Sequence, residues 1–208
     1  TGDSGRPAIR AYDPACVPGY KKLAGECQPH GCLVFGQLTH PGREMALASD
    51  GSRPVAYAPA AIPNERFHVM PRAMPISLIN EIIKGFELSA SHLREAGLDG
   101  IELVASHGYL LGQFLNPKIN LRTDKYGGNF EGRLRFLKDA IEATRRGAGG
   151  EMVLGVRLSG EDKDYTENEL GQMLKICSAL DSVPDLDYFN ITVGTSAGLA
   201  GSTHIVPP

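Results

Sequence analysis

The chain has few cysteines, and no two of them have the spacing of a metal or cluster site. They are Cys16, Cys27, Cys32 and Cys177, and none belongs to a C-x-x-C pair. The sequence therefore encodes neither a zinc ribbon nor a complete iron–sulfur motif. Free cysteines within apolar patterns behave as small hydrophobic residues, and their presence favours a reducing, cytoplasmic setting.

Long apolar runs and clusters of positive charge are also missing. No apolar run approaches the ~18 residues that a membrane-spanning helix needs, and residues 1–10 contain no signal-peptide core. The formal net charge is -3 and no basic run stands out, so we expect neither a nucleic-acid partner nor a membrane. The 208 residues are 42% hydrophobic and 22% charged, which fits one globular domain or an incomplete larger one.

Short apolar runs alternate with amphipathic segments along the chain. The runs predict four strands, at 32–38, 100–105, 152–158 and 185–193. The segments predict four helices, which begin near Asp13-Pro14, at 76, near 131, and after a capping box formed by Thr166 and Glu169. Strands that alternate with helices indicate right-handed βαβ units and a parallel sheet.

Four strands are too few for a complete barrel. A (β/α)8 barrel needs eight strands and typically about 250 residues. The alternatives are a small open sheet and a segment of a barrel, and we favour the segment. Residues 39–75 and 105–130 show no lasting periodicity and are predicted to be irregular.

Polar residues that could bind a ligand or take part in catalysis lie at the ends of the predicted strands, where barrel enzymes carry their active sites. They are Gln37, His40, His107, Arg157 and His204. A buried strand rarely carries Gln or Arg without a partner, because desolvating these side chains is costly. For Arg157 the plain alternative is an ion pair with Glu102 or Asp162.

A Gln amide and an Arg guanidinium together suit the edge of a planar heterocycle. The Gln37 amide both donates and accepts hydrogen bonds, and the Arg157 guanidinium is always charged. A flavin pyrimidine edge alternates carbonyls with ring nitrogens, and a positive charge beside it favours the reduced, anionic flavin. This pair of residues is therefore consistent with a flavin site.

Three stretches of the sequence carry a more specific pattern: HGYLLGQFLNPKINLRTDKYGGNFEGRLRF at 107–136, VFGQLTHPGRE at 34–44, and GVRLSGED at 155–162. They resemble the signature, the third-strand segment and the fifth-strand segment of the old yellow enzyme family of FMN oxidoreductases. The resemblance covers nearly the whole chain. It is best to the NADH:flavin oxidoreductase, 2,4-dienoyl-CoA reductase and trimethylamine dehydrogenase branch, with some similarity to N-methylproline demethylase-like members.

The resemblance implies an α/β fold, namely a segment of a (β/α)8 TIM barrel, roughly strands three to six with their helices. Residues 1–208 would form a partial FMN-binding barrel domain, with the first two and the last two strands missing. The family's phosphate-binding loops follow strands seven and eight, so the FMN phosphate site would lie outside this sequence. An iron–sulfur cluster would be expected only in the missing C-terminal part.

The resemblance also implies roles for individual residues. Gln37 and Arg157 occupy the flavin-binding positions. Tyr109 matches the family tyrosine that gives a proton to the substrate carbon, and His107 matches one of two donors that hold a substrate carbonyl over the flavin. His204 corresponds to a catalytic histidine of the dienoyl-CoA reductases.

Other positions are expected to shape the pocket or the loop that follows the second predicted strand. His40 and Arg43 would line the pocket wall. Arg122, Asp124 and Tyr126 would bond the loop's own backbone, and Gly127-Gly128 would allow a sharp turn with positive φ. Arg133 and Arg135 are expected to connect the next helix to this loop.

Two positions depart from the family pattern. Val104 stands where the second substrate donor is expected, and valine makes no hydrogen bond. This puts activation of a carbonyl by a donor pair in doubt and fits an enzyme that oxidises an amine better. Gly132 replaces the family asparagine before Arg133, which is expected to weaken the connection between the helix and the loop.

The resemblance implies an FMN-dependent oxidoreductase that transfers hydride between flavin N5 and a small organic substrate. The expected reaction is NAD(P)H-linked reduction of an activated C=C bond, and the alternative is amine dehydrogenation or N-demethylation. A homo-oligomer is left open. Two hypotheses of other classes are a metal-dependent barrel lyase or hydrolase using His40, His107 and His204, and an inactive barrel fragment.

Overall fold

A computed structural model describes residues 9–45, 52, 55–64, 69–161, 169–184 and 186–193. In these ranges the chain forms six strands: β1 (Phe35–Leu38), β2 (Tyr57–Ala58), β3 (Arg72–Ala73), β4 (Gly100–Ala105), β5 (Val153–Glu161) and β6 (Tyr188–Val193). It also forms five α-helices: α1 (Val17–Cys27), α2 (Ile76–Glu95), α3 (Leu110–Leu115), α4 (Phe130–Ala148) and α5 (Glu169–Asp181). Short 3-10 helices flank α1, at Pro14–Cys16 and Gln28–His30.

Four of the strands form one parallel sheet in the order β1-β4-β5-β6. Helix α2 connects β1 to β4, helices α3 and α4 connect β4 to β5, and α5 connects β5 to β6. Neighbouring strands are thus joined by successive crossovers that contain helices, as in the wall of a (β/α)8 barrel. The predicted α/β class and the barrel-segment architecture are confirmed.

The predicted elements agree with the structure within a few residues. Strand β4 has the predicted bounds, whereas β1 begins at Phe35 because the Val34 N–H is bound by the Asp99 carboxylate at 2.7 Å. Strand β5 continues to Glu161, three residues beyond the prediction. Thr166 lies outside the described residues, so the capping box before α5 stays a prediction.

Three elements within the predicted irregular segments were missed. Helix α3 is buried at all six positions, and a segment that is buried on every side has no amphipathic period to detect. Strands β2 and β3 have two residues each and pair in parallel. Two residues are too few to show the alternation that predicts a strand.

The sheet has two unlike faces. Its outer face packs against the helices, and a Cβ added at Gly36 of β1 would lie against Leu93 of α2. Successive side chains of a strand alternate between faces, so Phe35 and Gln37 lie on the opposite, inner face. The outer face carries fully buried aliphatic residues of the two central strands: Ile101, Leu103, Leu154, Val156 and Leu158.

The loop between α3 and α4 (residues 116–129) is held partly by itself, as expected. Asn120 Nδ2 donates to the carbonyls of Phe114 and Tyr126 at 2.7 and 2.8 Å. Asp124 Oδ1 accepts from the Tyr126 N–H at 3.0 Å. The Tyr126 hydroxyl, however, donates to Asp139 of α4 at 2.9 Å. The loop is therefore bonded to the next helix as well as to itself.

Arg122 differs from the expectation. Its guanidinium forms an ion pair with Asp124 and donates to two carbonyls outside the loop, those of Pro59 at 3.1 Å and Met74 at 2.6 Å. The side chain therefore attaches the loop to the chain around β2 and β3. Of the two glycines at the turn, only Gly128 has a positive φ, 72°.

The contacts expected from the arginines of α4 are confirmed. Arg133 donates to the Leu115 carbonyl at 3.3 Å and to the Gly128 carbonyl at 2.8 Å. Arg135 donates to the Lys125 carbonyl at 3.0 Å. Helix α4 is thereby hydrogen-bonded to the loop that precedes it.

Gly132 allows the first turn of α4 to lie directly on the loop. Its N–H donates to the Asn129 side chain, the N-cap of the helix, at 2.9 Å. A Cβ added at Gly132 would collide with the Gly127 carbonyl oxygen. Glycine at this position thus permits a close approach of two backbone segments.

We expect Gly132→Ala to lower the free energy of unfolding by about 1–3 kcal/mol, because the new methyl group forces the two backbones apart. Gly25→Ala in α1 is the matched control, since nothing lies within 4 Å of a Cβ built there. It should raise stability by roughly 0.5–1 kcal/mol through helix propensity. Urea unfolding of both variants checks this, and equal effects of the two changes would contradict the packing.

Candidate active site

Side chains of the inner face meet around Glu102 of β4. Parallel register places Gln37 of β1 beside Glu102, with Tyr188 of β6 at the same level. The carboxylate accepts hydrogen bonds from Gln37 Nε2 at 2.7 Å, from Asn190 Nδ2 at 2.9 Å and from the Tyr188 hydroxyl at 3.1 Å. Glu102 is buried, so these donors replace the water that a carboxylate would otherwise bind.

Arg157 lies on the same face, two residues further along β5 than the level of Glu102. The predicted alternative, an ion pair with Glu102, is not formed, and Asp162 lies outside the described residues. Arg157 Nη2 donates to the Thr192 hydroxyl at 3.3 Å. Its Nε is buried and has no partner among the described residues. A buried guanidinium N–H without an acceptor is costly, and it marks a place where an acceptor would bind.

His107 and Tyr109 follow the end of β4 in a tight turn. His107 has a φ of 57° and Gly108 a φ of 77°, and a left-handed backbone is uncommon for a residue other than glycine. The His107 N–H donates to the Ser159 hydroxyl of β5 at 3.2 Å. The His107 and Tyr109 rings lie 6.5 Å apart between centroids. Backbone strain of this kind, held in place by a neighbouring strand, is typical of functional sites.

The environment of the His107 ring favours its neutral form. Burial, together with the positive charge of Arg157, lowers the pKa of His107 from its ordinary value of 6.5. Its Nδ1 lies 2.8 Å from the Ser106 hydroxyl, which orients the ring. At neutral pH the imidazole is therefore uncharged, and its two nitrogens offer one donor and one acceptor.

Gln113 of α3 joins the turn after β4 to the segment after β1, and the sequence analysis missed it. Its Nε2 donates to the Gly108 carbonyl at 2.7 Å and to the Pro41 carbonyl at 3.1 Å. Its Oε1 accepts from the Arg43 N–H at 3.2 Å. The side chain is fully buried. A lone amide within the apolar run LLGQFL was the signal that would have found it.

His40 also belongs to the segment after β1. Its Nδ1 accepts from the Gly42 N–H at 3.1 Å, and burial lowers the pKa of His40 to about 4. It lines a small cavity with Tyr57 of β2 and Leu78 of α2, so its expected place in the wall of the active-site pocket stays a prediction. Arg43 instead is buried and donates to the Pro63 carbonyl at 3.0 Å, so it holds the segment in place.

The structure brings some of the predicted residues together and leaves others untested. Gln37, Arg157, His107 and Tyr109 lie on the inner face or at the end of β4. His204 lies outside the described residues. Within those residues, no group of three or more His, Cys, Asp and Glu side chains is arranged to hold a metal ion. Nor does any helix there have the length and apolar character needed to cross a membrane.

Comparison with known proteins identifies the family. The model described as the NADH:flavin oxidoreductase / NADH oxidase family matches residues 1–188. The chain belongs to this family. Among curated relatives, it is 36% identical over 180 residues to a multifunctional alkene reductase/demethylase from Caballeronia cordobensis, an alignment that covers 86% of this chain. It is 40% identical over 154 residues to an NADPH dehydrogenase from Bacillus velezensis, over 74% of this chain.

The matches cover only part of each relative. The chain spans 26% of the Caballeronia protein and 43% of the Bacillus protein. Among solved structures, a 2-naphthoyl-CoA reductase in complex with 2-naphthoyl-CoA superimposes with a TM-score of 0.81 at 28% identity, covering 89% of this chain and 30% of that one. The fold described above is therefore shared with part of a larger reductase.

Gln113→Leu tests the connection between the two segments. We expect a loss of about 3 kcal/mol in the free energy of unfolding, because three hydrogen bonds disappear and buried carbonyls lose their donor. Gln172→Leu is the matched control, since Gln172 Nε2 has no partner among the described residues. Urea unfolding should show little change for the control. A comparable loss in both variants would mean that the Gln113 hydrogen bonds contribute nothing specific.

The pKa of His40 predicts an acid-sensitive stability. The folded protein keeps His40 neutral down to about pH 4, whereas the unfolded chain takes up the proton near pH 6.5. Stability should therefore fall as the pH drops through this window, by about 2–3 kcal/mol between pH 7 and pH 4.5. His40→Asn, whose amide oxygen can still accept from Gly42, should remove that part of the dependence, and His30→Asn should leave it intact. An unchanged pH profile in His40→Asn would refute the assignment.

Proposed function

We propose that the protein is an FMN-dependent oxidoreductase that reduces an activated C=C bond of a small organic molecule with electrons from NAD(P)H. The observation that carries the proposal is the buried Arg157 Nε without a partner among the described residues, on the same face as the Gln37 amide. A flavin pyrimidine edge supplies the acceptor that Arg157 lacks and groups that complement an amide. The residues present therefore fit FMN.

FMN, when bound, would supply the hydride chemistry that links NAD(P)H to the substrate. The chain's own residues would act on the substrate and its protons. The Tyr109 hydroxyl would donate a proton to the substrate carbon, and the uncharged His107 would hold a polar group of the substrate. We extend the proposal to His204 as a further catalytic residue on the family resemblance alone.

The proposal also covers the rest of the barrel domain, the kind of substrate and the cellular location. Within the described residues, β1 and β6 each have one neighbour in the sheet, and their other edges would pair with further strands of a barrel domain that completes the FMN site. The partner is a small-molecule substrate. The described cysteines are unpaired, which supports a cytoplasmic location.

A second candidate reaction is oxidation of an amine, including N-demethylation. Val104 is buried, only 3% exposed, and lies beside Arg157 in the sheet register. Because its side chain makes no hydrogen bond, His107 has no second donor at this position for polarising a carbonyl. The Caballeronia relative is named for both activities, so its name does not decide between them.

Anaerobic titration of the full-length protein separates the two reactions. We expect NADPH to bleach the flavin absorbance and an α,β-unsaturated ketone to restore it. Bleaching by a methylated amine, with no response to NADPH, would favour the second candidate. If neither compound bleaches the flavin, both candidates are wrong.

Tyr109→Phe isolates the proton-donating step within the first candidate. Reduction by NADPH should proceed at the original rate, because no substrate proton is needed there. Reoxidation by the unsaturated ketone should slow by roughly 10²–10⁴-fold, the usual range for loss of a general acid. Stopped-flow absorbance measures the two half-reactions separately. Equal slowing of both would instead indicate a disturbed flavin site.

A further inference from the structure

The only hydrogen bond that the Gln37 side chain makes with the described residues is the one to Glu102, at 2.7 Å. A carboxylate accepts hydrogen bonds and donates none, so the amide must present Nε2 to Glu102. Its Oε1 and its second N–H are then directed elsewhere. Because the two ends of an amide have nearly the same shape, nothing but such a partner selects one orientation over the other.

We propose that Glu102 is a positioning residue that fixes which end of the Gln37 amide meets the flavin. The inference rests on the proposed FMN function. With Nε2 committed to Glu102, Gln37 offers one acceptor and one remaining donor. Neighbouring N–H and C=O groups of a pyrimidine edge require this combination. A flipped amide would place an N–H against an N–H and weaken binding.

The other hydrogen bonds of Glu102 do not involve Arg157. Asn190 and Tyr188 are neutral donors, and both bind the other carboxylate oxygen, Oε2. Burial and the nearby Glu102 raise the pKa of Tyr188 to about 12, so its hydroxyl stays protonated and continues to donate. Glu102 is therefore bonded without Arg157, and the charge of Arg157 stays available to an anionic ligand.

A purely structural role for Glu102 makes a different prediction, which a double-mutant cycle can detect. If Glu102 acts through Gln37, its replacement matters for FMN binding only while Gln37 is present. If it merely stabilises the sheet, its replacement weakens FMN binding equally with and without Gln37. The cycle therefore needs Glu102→Gln, Gln37→Leu and the double variant in the full-length protein.

The measurement is the FMN dissociation constant, from quenching of flavin fluorescence, together with the unfolding midpoint of each apoprotein. Glu102→Gln should weaken FMN binding by roughly tenfold, because an amide at this position donates as well as accepts and no longer fixes the orientation of Gln37. In the Gln37→Leu background the same change should alter the constant by less than about twofold. Tyr188→Phe, which removes another donor to Glu102, should lower the midpoint and keep the constant within about twofold.

Glu102→Asp is measured as a second variant, so that the inference is still tested if Glu102→Gln fails to fold. Aspartate keeps the carboxylate but is shorter by about 1.5 Å, which takes it out of hydrogen-bond range of Gln37. It should weaken FMN binding in the presence of Gln37 only. Unchanged binding in both Glu102 variants, or equal weakening with and without Gln37, would overturn the inference. Failure of the unaltered protein to bind FMN would overturn the proposed function instead.

Discussion

The buried carboxylate of Glu102 imposes the arrangement on which the rest of the inner face depends. A charge removed from water must find hydrogen-bond donors, and Glu102 takes them from β1 and β6, the strands on either side of the central pair. Parallel strand register brings these donors, Gln37, Asn190 and Tyr188, to the carboxylate. Because its needs are met by neutral groups, the neighbouring Arg157 keeps a buried N–H without a partner among the described residues.

The two faces of the sheet have different roles: the outer face stabilises the fold, and the inner face carries the polar groups of the candidate site. On the outer face, aliphatic residues such as Leu103 and Val156 are fully buried against the helices and supply the apolar core. The inner face carries amides, a carboxylate, a guanidinium and a phenol. At the end of β4, Gln113 and Ser159 hold the His107 turn in place, so the turn is attached to a helix and a strand.

The strands and two residues of the candidate site could be predicted from the sequence, because both depend on patterns of neighbouring residues. Alternating apolar runs located the strands, and strand ends placed Gln37 and Arg157 at one rim. Helix α3 escaped prediction because it is buried on all sides. The partnership of Glu102 with Gln37 escaped as well, since it depends on strand register across 65 residues, and a single sequence carries no signal for that. Arg122 was assigned to its own loop for the same reason.

A crystal structure of the protein with FMN tests the central claim most directly. The account predicts that Arg157 Nε and the Gln37 amide both lie within about 3.2 Å of the flavin pyrimidine edge. It also predicts that Gln37 Nε2 remains bonded to Glu102. A flavin bound elsewhere, or an Arg157 side chain turned onto Glu102 while Gln37 points away, would contradict it.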